Sequence, residues 1–149
     1  MRVVIADDHG IVRSGLRLLL ERQGDLEVVA EAADGIEARD TVVRERPDLA
    51  ILDVKMPGLT GLQATREIKA QVPETSVLIL SMHDDERYLF EALKAGASGY
   101  VLKSQADTDL LEAIRSVERG EPFLSPGAQQ ALIRDLRERG EPQGSDLTP

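Results

Sequence analysis

Several residue types are absent or scarce in this chain, and each absence excludes a class of function. The 149 residues include no cysteine and no tryptophan, and only two tyrosines and two phenylalanines. Without cysteine the chain cannot form disulfides, thiolate zinc sites or thiol nucleophiles, which fits a reducing cytoplasm. The scarcity of aromatic rings argues against an aromatic-lined cofactor pocket or a surface that stacks nucleic-acid bases.

Positive charge and long apolar runs are also in short supply. Eighteen Lys and Arg residues against 27 Asp and Glu residues give a net charge of −9. That sign is wrong for gripping phosphodiester backbones, so we expect no direct contact with nucleic acid. No apolar run approaches the roughly 18 residues that a membrane span requires, so we expect a cytoplasmic protein without membrane contact.

What is present suits one α/β domain, because 42% of the residues are hydrophobic and two periodicities alternate along the chain. Short aliphatic runs alternate with longer stretches of helical apolar spacing, which predicts βαβ units around a parallel sheet. The predicted strands are residues 3–6, 27–32, 49–53, 77–81 and 99–102. We expect a doubly wound (βα)5 domain over residues 1–120. Residues 121–149 are expected to form a linker, with a short amphipathic helix over 127–139 and a polar stretch after it.

Polar residues follow the predicted strands where each strand ends. They are Asp7 and Asp8 after the first strand, Asp53 on the third, Ser81 on the fourth and Lys103 after the fifth. Ligands of open α/β sheets bind outside the carboxyl ends of the strands. We therefore expect these five side chains to converge on one cleft.

The residue types in this cleft favour phosphoryl transfer. Three close carboxylates repel one another unless cations share the site, and carboxylate oxygens suit Mg²⁺. Lys103 supplies a positive charge that can meet a phosphate. Asp53, ending the middle strand, is the best candidate for the nucleophile, and Ser81 could donate its hydroxyl to a phosphate oxygen.

Each of these residues alone has a simpler interpretation. Asp8 could cap the first helix, Asp53 could be a solvated turn residue, Lys103 a surface lysine and Ser81 a turn hydroxyl. Their agreement on one sheet edge favours the site. Two further residues are interpreted as exposed loop or helix-start residues, because no metal-ligand spacing joins them: His9 and His83.

Four motifs in order resemble the receiver domains of two-component response regulators over residues 1–120. They are Val4-Ile5-Ala6-Asp7-Asp8-His9, Leu52-Asp53-Val54-Lys55-Met56-Pro57-Gly58-Leu59-Thr60-Gly61, Ile79-Leu80-Ser81 and Gly96-Ala97-Ser98-Gly99-Tyr100-Val101-Leu102-Lys103. The resemblance implies a flavodoxin-like fold with strand order 2-1-3-4-5. It also implies that Asp53 accepts a phosphoryl group from a sensor histidine kinase.

The resemblance assigns roles to the site residues. Asp7 and Asp8 would hold Mg²⁺ together with Asp53, and the backbone carbonyl of Lys55 would be a further ligand. The chain would be a regulatory phosphoacceptor that assists its own phosphorylation and dephosphorylation, rather than a turnover enzyme. Lys55 carries a long cation two residues after the acceptor, where it could alter the dephosphorylation rate.

A switch is implied by the same resemblance. Ser81 and Lys103 would be drawn toward the new phosphoryl group, which adds about −1.5 to −2 charge. Tyr100 would rotate inward when Ser81 moves, so the loop after Ser81 and the Tyr100 ring form the bistable element. Ser81 stands where threonine is common in the family, which keeps the donor and removes a methyl group.

The motifs further resemble the NarL/FixJ type of regulator. In that type a linker helix follows the receiver, and a LuxR-like helix-turn-helix domain then begins with a Leu-Thr-Pro-Arg-Glu signature. Leu147-Thr148-Pro149 match the first three letters of that signature after a linker. We therefore expect a DNA-binding output domain to follow in the natural protein, and DNA contact only through that domain. The chain could be a monomer or a phosphorylation-dependent homodimer.

Three alternatives remain to be weighed. One is a stand-alone receiver that signals by protein contact, which has little use for the helix and linker after residue 120. An aspartyl phosphatase resembles the site but needs a general acid where Lys55 stands. A flavin-binding electron carrier would need a phosphate loop rich in Ser, Thr and Gly after the first strand, where this chain has Asp7-Asp8-His9-Gly10.

Overall fold

A six-stranded parallel sheet forms the centre of the computed structural model, which describes residues 1–82 and 88–147. The strands are β1 (Arg2–Ala6), β2 (Glu27–Ala32), β3 (Leu49–Asp53), β4 (Ser76–Ser81), β5 (Gly99–Leu102) and β6 (Phe123–Leu124). The helices are α1 (Gly10–Glu21), α2 (Gly35–Glu45), α3 (Gly61–Gln71), α4 (Leu89–Ala95), α5 (Ala106–Glu118) and α6 (Pro126–Leu147). The strand order is β2-β1-β3-β4-β5-β6, and every neighbouring pair is parallel.

Helices cover both faces of the sheet, so the central strands are buried along most of their length and consist mainly of apolar residues. Every residue of β3 is buried. Alternate residues of the strands feed two separate apolar clusters, one with Ala50 and Leu52 and the other with Leu49 and Ile51. The first cluster lies under α2, α3, α4 and the start of α6, and the second under α1 and α5.

The flavodoxin-like fold and the order 2-1-3-4-5 are confirmed, with two differences at the C-terminal end. Strand β6 was not predicted, because two residues are too few to show a strand period. It pairs with β5 in the structure. The helix predicted over 127–139 is α6, and it extends to Leu147 through the stretch predicted as polar linker. Apolar spacing stops near Leu136 and the next residues include Gly140 and Pro142, poor helix formers, so the pattern gave no sign of this extension.

The start of α3 is packed against the end of β3, which fixes the backbone around Asp53. Thr60 caps α3 through its side chain, and Gln63 returns a hydrogen bond to the Thr60 amide, forming a capping box. The Gly61 amide donates to the Val54 carbonyl at 2.8 Å. A Cβ on Gly61 would overlap the carbonyl oxygen of Asp53, so only glycine allows this close approach.

The start of α6 lies against β5, the strand that precedes Lys103. Ser125 donates its amide to the Tyr100 carbonyl at 3.3 Å, and Ala128 is fully buried. A Cβ on Gly127 would lie 2.7 Å from Leu102, which shows how closely the two elements approach. Among the described helices, none has the length and apolar character needed to cross a bilayer.

The two edges of the sheet differ in construction. At one edge β6 contributes only two residues. At the other, β2 contains Glu31 and pairs with β1 through a register shift, since Val3 aligns with Val28 but Val4 aligns with Ala30. The pairing of this edge strand is therefore irregular.

Candidate functional site

The predicted site residues lie at the carboxyl ends of four adjacent strands. Asp53 is the last residue of β3, and Lys103 begins a short 3₁₀ turn directly after β5. Lys103 Nζ lies 3.1 Å from Asp53 Oδ2 and 2.9 Å from Asp7 Oδ2. One lysine therefore joins carboxylates at the ends of two strands, β1 and β3, that are 46 residues apart in sequence.

Asp7 is the most deeply buried carboxylate of the group, with a fully buried side chain. Its Oδ1 accepts a hydrogen bond from the His9 amide at 2.9 Å. Its Oδ2 lies within ion-pair distance of Lys103 but outside good hydrogen-bond geometry. Its backbone carbonyl accepts a bond of 2.6 Å from Arg13 Nη1. Asp7 is thus fixed at both backbone and side chain.

Asp8 is more open, with one third of its side chain exposed. It does not cap α1, because the N-cap position belongs to His9, whose side chain makes no capping bond. One ligand atom from each of Asp7, Asp8, His9 and Asp53 can be chosen so that all four lie within 4.8 Å of one another. This group is the acidic cluster of the site.

The environment of Asp53 disfavours its charged form. Burial raises the pKa of Asp53, the positive charge of Lys103 opposes that effect, and the charges of Asp7 and Asp8 add to it. Burial lowers the pKa of Lys103, but the close negative carboxylates of Asp7 and Asp53 outweigh burial and leave it raised. The lysine therefore stays charged while the carboxylates remain only partly compensated.

These residues fit a divalent cation. Asp53 is only 3% exposed, and its Oδ1 atom is buried without a hydrogen-bond partner among residues 1–82 and 88–147. Leaving a buried carboxylate oxygen unpartnered is costly, and a cation would remove that cost. Three carboxylates against one lysine also leave net negative charge in the cluster, and hard cations such as Mg²⁺ prefer oxygen ligands.

Ser81 and Tyr100 lie on the next two strands. Ser81 is buried at the end of β4 and donates its hydroxyl to the Met82 carbonyl at 3.0 Å. Tyr100 on β5 is fully buried in the apolar cluster that also contains Leu89 and Ala128. The hydroxyl and the aromatic ring are thus both held inside the protein. The interpretation of His83 as an exposed residue concerns residues 83–87, which lie outside the described residues.

The simpler interpretations of Asp53 and Lys103 are wrong, since neither is a solvated surface residue. The side chains are 4% and 14% exposed and form an ion pair with each other. Lys55, by contrast, is exposed in the loop after β3. The ligand role of its backbone carbonyl stays a prediction.

The contacts of two residues near the site were not predicted. His9 is exposed at the start of α1, as interpreted from the sequence, but its Nδ1 lies 3.0 Å from Asp8 Oδ1. Arg13 donates to the Asp7 carbonyl and to Glu31 on β2, which also pairs with Arg17. The i,i+4 spacing of the two arginines on α1, with a glutamate inside a strand, was the available signal.

The comparisons with known proteins agree with this geometry. A family model described as response regulator receiver domain matches residues 3–115. The oxygen regulatory protein NreC of Staphylococcus epidermidis is 49% identical over 137 residues, which are 91% of this chain and 63% of that protein.

Solved structures give the same result. A LuxR-family two-component response regulator from Aurantimonas has a TM-score of 0.84 at 39% identity, covering 94% of this chain and 98% of that one. The receiver domain of the putative regulator NarL from Mycobacterium tuberculosis has a TM-score of 0.76 at 36% identity, covering 80% and 97%.

The chain therefore belongs to the response regulator receiver family. Within that family it is a receiver of the NarL/NreC type, as its motifs predicted. It spans 63% of the length of the curated relative it matches. Response regulators are in general regulatory rather than catalytic proteins.

Proposed function

We propose that this chain is a phosphorylation-activated receiver in which Asp53 accepts a phosphoryl group from a sensor histidine kinase. The observation that supports it best is the pairing of one lysine with two buried carboxylates, Lys103 with Asp53 and Asp7. Acidic residues without a ligand to bind would be expected to lie in solvent, whereas Asp7 and Asp53 are buried. A buried nucleophile next to a fixed positive charge suits transfer of a phosphoryl group.

The transfer step uses residues of the chain directly. A bond forms between a carboxylate oxygen of Asp53 and phosphorus, while the phosphorus–nitrogen bond of the donor phosphohistidine breaks. The departing imidazole takes its proton from solvent. Lys103, which donates to Asp53 Oδ2 at 3.1 Å, holds the carboxylate in one orientation and offers positive charge to the incoming oxygens.

Mg²⁺ is the proposed cation of the site, held by Asp7, Asp8 and Asp53, with the Lys55 backbone carbonyl as a further ligand. When bound, it would neutralise charge on the phosphoryl oxygens. Two observations support this assignment: Asp53 Oδ1 has no hydrogen-bond partner in the ranges 1–82 and 88–147, and the acidic cluster spans only 4.8 Å.

The switch is proposed to run through Ser81 and Tyr100. The Ser81 hydroxyl, bonded to the Met82 carbonyl, can turn to donate to a phosphoryl oxygen. Lys103 would follow the added negative charge. Because Ser81 and Tyr100 belong to adjacent strands, and Ser125 before α6 bonds the Tyr100 carbonyl, these movements would change the surface formed by α4, β5 and α6.

The partners follow from this role. Ile11 and Leu18 are 89% and 62% exposed on α1, and an apolar groove lined by Leu16, Leu19 and Ala106 opens beside Lys103. A kinase domain that must bring its phosphohistidine to Asp53 could use that surface. Control of transcription through an attached DNA-binding domain, in the cytoplasm, is proposed from the likeness to NarL/NreC-type regulators.

The experiment that tests the function is intact mass after incubation with Mg²⁺ and acetyl phosphate. We expect one labile phosphoryl adduct on the wild-type chain, and none on Asp53→Asn or without metal. The matched control is Asp40→Asn, an exposed carboxylate on α2, which should be phosphorylated like wild type. An adduct that persists in Asp53→Asn would show that Asp53 is not the acceptor.

Absence of any adduct would favour a receiver that acts by phosphate-independent contact, the second candidate. The remaining candidate is a stand-alone receiver that is phosphorylated but signals by protein contact alone. The contacts of α6 with β5 and α4 favour an output passed on through α6. A phosphatase activity is disfavoured because Lys55 stands where the general acid is needed.

A further inference from the structure

His9 has a position in the acidic cluster that no role proposed above uses. Its Nδ1 atom lies 3.0 Å from Asp8 Oδ1 and 3.2 Å from Asp7 Oδ1. The His9 amide donates to Asp7 Oδ1, and its carbonyl accepts from the Arg13 amide. The backbone is therefore fixed at the start of α1, and the imidazole lies at the open side of the cluster, where two thirds of it is exposed.

The spacing of these atoms matches ligands on one metal ion. Two adjacent ligands of an octahedral ion, each about 2.1 Å from the metal, are separated by about 3.0 Å. The His9–Asp8 and His9–Asp7 distances are close to that value. Independently of these distances, Asp53 belongs to the same cluster, and its buried Oδ1 has no hydrogen-bond partner within the described part of the chain.

We propose that His9 Nδ1 is a direct ligand of the divalent cation in this cluster, and that it shifts the cation preference from Mg²⁺ toward ions such as Co²⁺, Ni²⁺ and Zn²⁺. Imidazole is a good ligand for these ions, whereas Mg²⁺ prefers oxygen and keeps its waters. The proposal shares the acidic cluster with the proposed function and rests on it only for the location of the cation.

A different use of the same contact makes the opposite prediction. A positively charged His9 ring paired with Asp7 and Asp8 would compete with any cation for those oxygens. Removing the ring would then strengthen the binding of Mg²⁺ and Co²⁺ alike. If His9 is a metal ligand, removing its ring should instead weaken Co²⁺ binding and leave Mg²⁺ binding almost unchanged.

The test compares Mg²⁺ and Co²⁺ binding by calorimetry for wild type, His9→Leu and His9→Gln. Measurement at about pH 6 and about pH 8 lies on both sides of the ordinary pKa of imidazole, so the charged ring of the alternative is tested as well. Ser14→Leu is the matched control, because it places a leucine at an exposed position of α1. Asp8→Asn should weaken the binding of both ions. We expect Co²⁺ affinity to fall about tenfold or more in both His9 variants, as when a metal site loses a supporting group, and Mg²⁺ affinity to change far less.

A second readout identifies the ligand itself. Proton NMR of the Co²⁺-loaded wild type should contain a paramagnetically shifted, exchangeable imidazole N–H signal, which His9→Leu lacks and Ser14→Leu retains. Equal Co²⁺ affinities in wild type and His9→Leu, parallel changes for both ions, or a shifted signal that persists in His9→Leu would overturn the proposal.

Phosphorylation of the same samples by acetyl phosphate with Mg²⁺ separates this proposal from the proposed function. Normal phosphorylation with His9-independent Co²⁺ binding would remove the ligand role alone. His9-dependent Co²⁺ binding without phosphorylation of Asp53 would retain the ligand role and remove the phosphoacceptor function.

Discussion

At the scale of single residues, Asp53 combines two properties that oppose each other when no ligand is bound. It lies in a buried place that raises its pKa, yet phosphoryl transfer requires its carboxylate form. Lys103 offsets part of this cost, and a cation would offset more. The proposed acceptor is therefore a residue whose charge is destabilising until its ligands are present.

The pH dependence of stability should reveal this cost. Because the folded pKa of Asp53 is raised, its contribution to stability is full below the ordinary carboxyl pKa and is lost as the pH rises through the folded pKa. Metal-free Asp53→Asn should therefore unfold at a higher temperature than wild type at pH 7, by a difference that shrinks toward pH 4. Calorimetry with chelator measures it, beside Asp40→Asn, which should follow wild type. A less stable Asn variant at pH 7 would contradict the burial argument.

Lys103 should be needed for the response more than for the phosphorylation. Lys103→Ala removes the charge that follows the phosphoryl group, so we expect an adduct at Asp53 without the structural change. The chain has two tyrosines, so fluorotyrosine labelling gives two ¹⁹F signals, assigned with Tyr88→Phe. The Tyr100 signal should shift on phosphorylation in wild type and in the exposed control Lys94→Ala, and stay in place in Lys103→Ala. A normal shift in Lys103→Ala would remove the switch role.

The residues whose position follows from strand ends could be predicted from the sequence. Asp7, Asp53 and Lys103 directly end or follow aliphatic runs, and parallel strands bring such positions to one edge. His9 could not be predicted, because its closeness to the acids depends on how the β1–α1 turn directs the ring. Arg13 was missed because its partner Glu31 lies on another element.

At the scale of elements, the close contact of α3 with β3 fixes the position of the Asp53 backbone. Gly61 lets the first turn of α3 rest on the Asp53 carbonyl, and the Thr60 capping box fixes where that turn begins. Helix α3 is therefore in direct contact with the backbone of the candidate site.

Gly61→Ala should destabilise the protein by about 1–3 kcal/mol, the usual cost of overpacking a well-packed contact. The same change at Gly15, an exposed position of α1 where an added methyl group would meet no neighbouring atom within 4 Å, should stabilise it by about 0.5–1 kcal/mol. Urea unfolding of both variants gives the two free energies. A Gly61→Ala variant as stable as wild type would show that α3 moves away from β3 without cost.

Long elements with a clear apolar period could be predicted from the sequence, whereas short or irregular elements could not. The five main strands and five helices have clear apolar patterns, whereas β6 has two residues and is defined only by its pairing with β5. The extent of α6 past residue 139 has no apolar pattern at all, so its helical backbone could not be inferred from spacing.

At the scale of the whole molecule, the net charge of −9 adds a general repulsion to the local one in the acidic cluster. Cations reduce both, but they act differently: monovalent salt screens the whole surface, while a bound divalent ion stabilises only the folded state.

Mg²⁺ should therefore raise the unfolding temperature beyond the effect of ionic strength. At tenfold the dissociation constant, binding contributes about 1.4 kcal/mol, or about 3–6 °C for a chain of this size. Thermal unfolding in Mg²⁺ and in NaCl of equal ionic strength measures the difference, and Asp8→Asn should lose it. Equal stabilisation by the two salts would argue against a specific cation site.

The construction of the sheet edges also decides how copies of the molecule can meet. One edge has only the two residues of β6, and the other has an irregular register and Glu31 held between Arg13 and Arg17. Short, irregular and charged edges resist the addition of further strands. Concentrated solutions should thus be protected against fibre-like growth from the sheet, and self-association, where it occurs, has to use helical surfaces.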